Sequence, residues 1–250
     1  MIFWSVGLCM LLLIGMIEFT GVENTPDGVN LNDLMDQFPR IVLSVFGMVD
    51  ADVNTLGGYY TILAWYALIC TVILSIQLGT NSVLRESIDG TYEFLFTKPR
   101  KRSFVLGVKL AASWTCLTLF VILFFLFSVF SVAVYGFGSI EIEMLLFSVA
   151  ALLCGSIFMA LSAFISATVK NADKASLYSN LCFLSAYIMS LVYDMSKKMQ
   201  AVKITTPLRY FAASDLLEKN LDPVYVSICI LFTLVSLFGA FYTFGKKDLR

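Results

Sequence analysis

The groups able to do chemistry are few and unevenly spread along the chain. Histidine is absent from all 250 residues, which closes imidazole-based metal sites and Ser-His catalysis. Within or beside the apolar blocks the ionisable side chains are Glu18, Lys109 and Asp194. Glu18 and Lys109 fall near the ends of their blocks, and Asp194 is expected just beyond the fifth. None is expected at a bilayer midplane, where ion-coupled carriers keep a carboxylate or a broken helix. An intramembrane enzyme would need a nucleophile with a base. Without histidine only a Ser-Lys pair could serve, and no serine stands out as a partner for Lys109. Cys9, Cys70, Cys116, Cys154, Cys182 and Cys229 each fall in a different apolar block, where a thiol acts as a small hydrophobe rather than a disulfide half or a ligand.

The densest charge lies in "LRESIDGTYEFLFTKPRKRS", residues 84–103, which holds Arg85, Glu86, Asp89, Glu93, Lys98, Arg100, Lys101 and Arg102. Placed on a helix at about 100° per residue, Leu84, Ile88, Tyr92 and Leu95 share one face, and Glu86, Asp89 and Glu93 the other. Gly90 costs a helix interior about 1 kcal/mol, and Pro99 ends a helix. The pattern therefore predicts an extension of the preceding element to Asp89, then a short helix from Thr91 to Thr97. Three carboxylates suit a headgroup surface poorly, because anionic lipid repels them. An apolar ridge flanked by acids suits a protein groove with a basic rim.

The elements that must hold this stretch are membrane spans. Hydrophobic residues make up 59% of the chain and charged ones 14%, against roughly 25% charged in a soluble domain, and the mean hydropathy is +0.85. The net charge of -1 gives no reason to expect nucleic-acid binding. Six apolar blocks approach the ~20 residues of a bilayer-spanning helix: 1–21, 59–78, 104–135, 144–169, 175–192 and 224–244. Open strands would leave backbone groups unpaired in hydrocarbon, and barrel alternation is absent, so the spans are helices. The expected fold is an all-α integral membrane protein, one transmembrane domain over 1–250. The first block follows Met1 without a cationic stretch or a cleavage pattern, which reads as a retained span.

Arg85, Lys98, Arg100, Lys101, Arg102, Lys170, Lys174, Lys246, Lys247 and Arg250 gather on one side of such a bundle. The positive-inside rule makes that side, with both termini, cytoplasmic. Outer connections at 22–56 and 193–223 follow. The first carries six acids against Arg40 alone. The second, containing "TPLRYFAASDLLEKNLDP", is apolar enough to dip back into the membrane, with a turn at Pro207 and a capped helix near Ser214. The fourth span spaces small residues four apart (Ala151 and Gly155, Ser156 and Ala160, Ser162 and Ser166, Ala163 and Ala167), which permits close helix approach. Phe120, Phe124, Phe125, Phe127 and Phe130 could line an apolar path or face lipid.

The order of these features resembles the membrane subunit of an ATP-binding-cassette (ABC) exporter of the type-2 permease family. The residues that carry it are "LRESIDGTYEFLFTKPRKRSFVLGVK", in which Glu86, Gly90, Thr91, Glu93, Leu95, Pro99, Arg102 and Lys109 match that family's cytoplasmic pattern. "LMDQFPRIVLSVFG" and "TPLRYFAASDLL" are lesser matches. The resemblance implies that 81–102 is a coupling region between spans 2 and 3, with Glu86, Asp89, Gly90, Thr91, Tyr92, Glu93, Leu95, Phe96, Pro99 and Arg102 at the contact with a separate ATPase. It implies a re-entrant outer segment between spans 5 and 6 and pairing with a second permease, identical or related. The sequence has no G-x-x-x-x-G-K-[ST] phosphate loop. The resemblance therefore assigns ATP and Mg to the partner subunit and makes this chain a non-enzymatic transport subunit binding no cofactor. Permeases of that family open with an amphipathic helix before the first span, for which there is almost no room after Met1. The expected role is ATP-driven export of an amphipathic or hydrophobic peptide, drug or lipid across the cell membrane. The alternative is a secondary transporter or channel driven by an ion gradient.

Overall fold

The computed structural model describes residues 2–23, 31–35, 37–49, 51–88, 102–138, 140–169, 171–195, 203–211 and 213–246. Among these every regular element is a helix. In chain order they are α1 (Ile2–Glu23), α2 (Leu31–Met35), α3 (Arg40–Val45), α4 (Leu56–Ile88), α5 (Arg102–Tyr135), α6 (Glu141–Thr168) and α7 (Ala172–Met195). A 3₁₀ turn (Pro207–Arg209), α8 (Ala213–Leu217) and α9 (Pro223–Lys246) complete the set. Six of them, α1, α4, α5, α6, α7 and α9, are long and apolar enough to cross a membrane.

Successive long helices alternate in direction. The Trp4 indole donates to the Gln77 carboxamide at 3.2 Å and Tyr59 donates to Glu18 at 3.4 Å, so α1 lies antiparallel to α4. The bundle thus has two ends, one marked by Ile88 and Arg102 and the other by Leu56, Glu141 and Asp194. At 1.5 Å per residue, the 33 residues of α4 and the 34 of α5 each span about 50 Å, some 20 Å beyond a hydrocarbon core. The surplus falls at the Ile88 end. Beyond the level of Trp4, α4 runs a further eleven residues, about 16 Å, from Gln77 to Ile88. Ser82 and Ser113 hydroxyls, 2.7 Å apart, tie α4 to α5 within this extension.

The centre of the bundle is the α4–α6 seam. The small residues of the fourth span, Ala151 to Ala167, are buried, and Gly155 and Ser162 among them meet α4 inside this chain. A Cβ on Gly79 would stand 2.2 Å from the Met159 carbonyl oxygen, and one on Gly155 2.7 Å from Ser75 Oγ. Such approach brings the two backbones into contact. Hydroxyls along the seam bond back into their own helices: Thr71 to Ala67 O and Ser75 to Thr71 O, both 2.7 Å. These two hydroxyls are thus buried with a partner.

One apolar cluster fills the middle, with Leu12, Met16, Tyr60, Phe120 and Phe124. Of the five phenylalanines noted in the third span, Phe120 and Phe124 are thus in the core, while Phe130 is exposed. A second cluster closes the Ile88 end with Val83, Leu84, Leu106, Ala163, Ala175 and Phe244. Among the six spans, α7 and α9 are the least covered by the rest of the chain.

Candidate functional site

The stretch singled out by the sequence is bracketed by the two overhanging helices. α4 is helical through Ile88 and α5 begins at Arg102. Asp89, Gly90, Thr91, Tyr92, Glu93, Leu95, Phe96 and Pro99 lie outside the described residues, as does the side chain of Glu86. Of the expected contact residues, Arg102 is described and is exposed on the first turn of α5. Leu84, expected on the apolar face of this stretch, is 1% exposed and sits in the bundle core beside Leu106 and Ala167. It belongs to the platform under the connection. The same platform includes Ala175 of α7 and Ala240 and Phe244 of α9, so five spans converge there. Asn171 caps the neighbouring α7, its side-chain oxygen accepting from the backbone N–H of Asp173 at 2.9 Å and of Lys174 at 3.2 Å.

At the opposite end the structure assembles a cluster that the sequence did not reveal. Asp194 was expected just beyond the fifth span. It lies within α7, 8% exposed, because the helix continues past the apolar block to Met195. Its carboxylate accepts hydrogen bonds from the Ser44 hydroxyl of α3 and from Nη2 of Arg209 in the 3₁₀ turn, and pairs with Arg209 as a salt bridge. The Arg209 guanidinium lies over the Trp65 ring of α4, 4.2 Å from its centroid. Tyr187, eight residues or about two turns before the end of α7, stacks on Trp65, its ring 6.4 Å away, and its hydroxyl donates to the Val45 carbonyl at 3.2 Å. Burial of these charges is tolerable because each meets an opposite charge or an aromatic face.

The cluster joins the two stretches that carried the lesser resemblance. Ser44 comes from "LMDQFPRIVLSVFG" and Arg209 from "TPLRYFAASDLL". Residues 206–211 pack between spans rather than over them: Leu208 and Tyr210 are 3% and 2% exposed, and Cys154, in the middle of α6, donates through Sγ to the Pro207 carbonyl at 3.1 Å. The Tyr210 hydroxyl donates to the Ile204 carbonyl, and burial pushes its pKa up to about 12, so this donor stays protonated at physiological pH. Beside Trp65 and Arg209 lies a cavity of about 40 Å³, also lined by Cys154, Leu208 and Phe147. It is too small for a peptide or lipid. The one legible sign of this cluster was an arginine inside the otherwise apolar run "TPLRYF", which needs a buried counter-charge if the run enters the bundle.

The arrangement is that of a keyed bundle end, with no constellation of nucleophile and base among the described groups around Asp194. Residues 3–249 match the family model described as ABC-2 family transporter protein. No curated protein matches the chain.

Proposed function

The chain belongs to the ABC-2 transporter family, and from that premise we propose that it is the permease half of an ATP-driven exporter whose force enters through residues 81–102. Membership makes it a multi-pass membrane protein with an ABC permease role, and implies association with an ABC ATPase subunit. The observation that supports the coupling role is where the two helices flanking 89–101 stop: α4 runs to Ile88 and α5 starts at Arg102, both past the apolar cluster in which Leu84 and Leu106 meet Ala167, Ala175 and Phe244. A stiff helical pair delivers a displacement made at its tip to the core, and Leu84 and Leu106 at its base contact elements of three further spans.

In this reading the amphipathic stretch Thr91 to Thr97 is the coupling helix, with Tyr92, Leu95 and Phe96 filling a groove of the ATPase and Glu86, Asp89 and Glu93 meeting basic residues at its rim. The Ile88 end and both termini are cytoplasmic, as the positive-inside rule requires. Residues 193–223 form the re-entrant outer segment; burial of Leu208 and Tyr210 and the Cys154 contact support that assignment. A second permease completes the translocation path, ATP and Mg bind in the partner ATPase, and the cargo is an amphipathic or hydrophobic molecule. A carrier driven by an ion gradient is less well supported, since Asp194 lies one residue from the end of its helix and is paired with Arg209.

The test is copurification with the ABC ATPase and assay of its hydrolysis in proteoliposomes. Leu95→Asp puts a charge into the ridge. At a hot-spot cost of at least about 2 kcal/mol, it should weaken association at least ~30-fold and abolish cargo-stimulated hydrolysis, with the permease still folded. Unchanged association and coupled hydrolysis would remove the coupling role from this surface.

A further inference from the structure

The connection 22–56 reads from sequence as an outer loop, yet part of it runs at membrane depth. The Val45 carbonyl accepts from Tyr187, eight residues or about 12 Å inside the end of α7. Gly47 stands against Trp65, nine residues or about 14 Å inside the start of α4: a Cβ on this glycine would meet the indole Cδ1 at 2.3 Å. Trp65 is also six residues, about 9 Å, below Tyr59, which bonds Glu18 at the polar rim of the bundle. Half a hydrocarbon core is about 15 Å.

At that depth α3 is amphipathic in the reverse of the sense water would impose. Its polar side faces inward, with Ser44 fully buried on Asp194. Its outward side shows Ile41, Val45 and Phe46, which are 46%, 38% and 47% exposed. The backbone at its end is also closed on itself. Gly47, at φ +72°, lets the Met48 N–H reach the Leu43 carbonyl at 2.8 Å and the Gly47 N–H reach the Ser44 carbonyl at 3.1 Å. This pair of bonds satisfies helix-end carbonyls without water, which is what backbone in hydrocarbon requires. On α7, to which Tyr187 ties α3, Ile188 and Val192 are exposed as well.

We infer that residues 40–47 form a membrane-embedded short helix with its glycine cap beside α4 and α7, with Ile41, Val45 and Phe46 in contact with the acyl chains of the leaflet at the Asp194 end. Lipid is the occupant that a membrane-spanning bundle meets at this depth by default. A second copy of the chain would shield the same residues and is the competing occupant. The inference rests on the chain being a membrane protein and is independent of ATPase coupling and of which side is cytoplasmic.

Site-directed spin labelling of the full chain in lipid nanodiscs tests it. Single cysteines replace Ile41 and Phe46, with Val45→Cys in reserve, after Cys9, Cys70, Cys116 and Cys182 are changed to Ala; the buried Cys154 and Cys229 stay. Val235→Cys on the exposed face of α9 serves as the lipid standard and Asn220→Cys, exposed beyond α8, as the water standard. Oxygen accessibility as high, and nickel-chelate accessibility as low, as at Val235 is expected at Ile41 and Phe46. Nickel accessibility matching Asn220 would place the segment in water, and shielding from both reagents would place a protein neighbour there; either result overturns the inference. Failure of ATPase copurification leaves this measurement unaffected, so the two readings fail separately.

Discussion

The two ends of the bundle are held by different chemistry. At the Asp194 end, segments distant in sequence are keyed by directional contacts. The Asp194 carboxylate takes both Ser44 and Arg209, the guanidinium covers Trp65, and Tyr187 holds Val45. At the Ile88 end, the contacts that bring five spans together are apolar: Ala163, Ala167, Ala175 and Ala240 cluster with Leu84, Leu106 and Phe244. A hydrogen-bonded ion pair tolerates little displacement before it breaks. Alanines packed on leucines can slide by a fraction of an ångström at small cost. The contrast suits a transporter moved from one end: a compliant base under the α4–α5 lever, and a keyed opposite end that yields, if at all, in one step.

The comparison is broken most severely by Asp194→Ala. It leaves a buried guanidinium without its counter-charge and should cost about 3–5 kcal/mol, seen as a large fall in thermal midpoint in detergent. The double variant Asp194→Leu with Arg209→Met removes both charges and should recover most of the loss, as expected when the penalty comes from the orphaned charge. Equal instability of single and double variants would show that shape rather than charge keys this end.

Next in size is the seam that joins the ends. Gly79→Val puts atoms where the Met159 carbonyl and Ser162 hydroxyl stand, and overpacking of this kind costs typically 1–3 kcal/mol. The smallest effect is Ser44→Ala, which deletes one bond to Asp194 and leaves the Arg209 pair intact. A loss of about 1 kcal/mol is expected, together with faster hydrogen exchange confined to residues 40–47.

These residues also mark what sequence could and could not convey. Spans are legible because each must supply about 20 apolar residues in a row, so six blocks became six long helices. The small-residue spacing from Ala151 to Ala167 was legible as a close-packing stripe, though its partner, α4 at Gly79 and Ser75, was not. The Asp194 cluster was hidden because its partners stand 150 and 15 residues away, and because length alone placed Asp194 outside its helix. Residues 40–47 looked like loop since eight residues are too few for a span, and their depth is set by Trp65 and Tyr187, not by their own hydropathy. The coupling contact proposed at 91–97 rests on pattern and family resemblance, and α4 and α5 bracket it in the chain.

The most direct test of that contact is photo-crosslinking in the assembled transporter, with a benzophenone on Phe96→Cys in the background lacking Cys9, Cys70, Cys116 and Cys182. The account predicts a covalent product with the ATPase subunit from Phe96, and none from the same label at Ile204 at the Asp194 end. A label at Phe96 that reacts with lipid alone, or an ATPase captured from Ile204 instead, would contradict it.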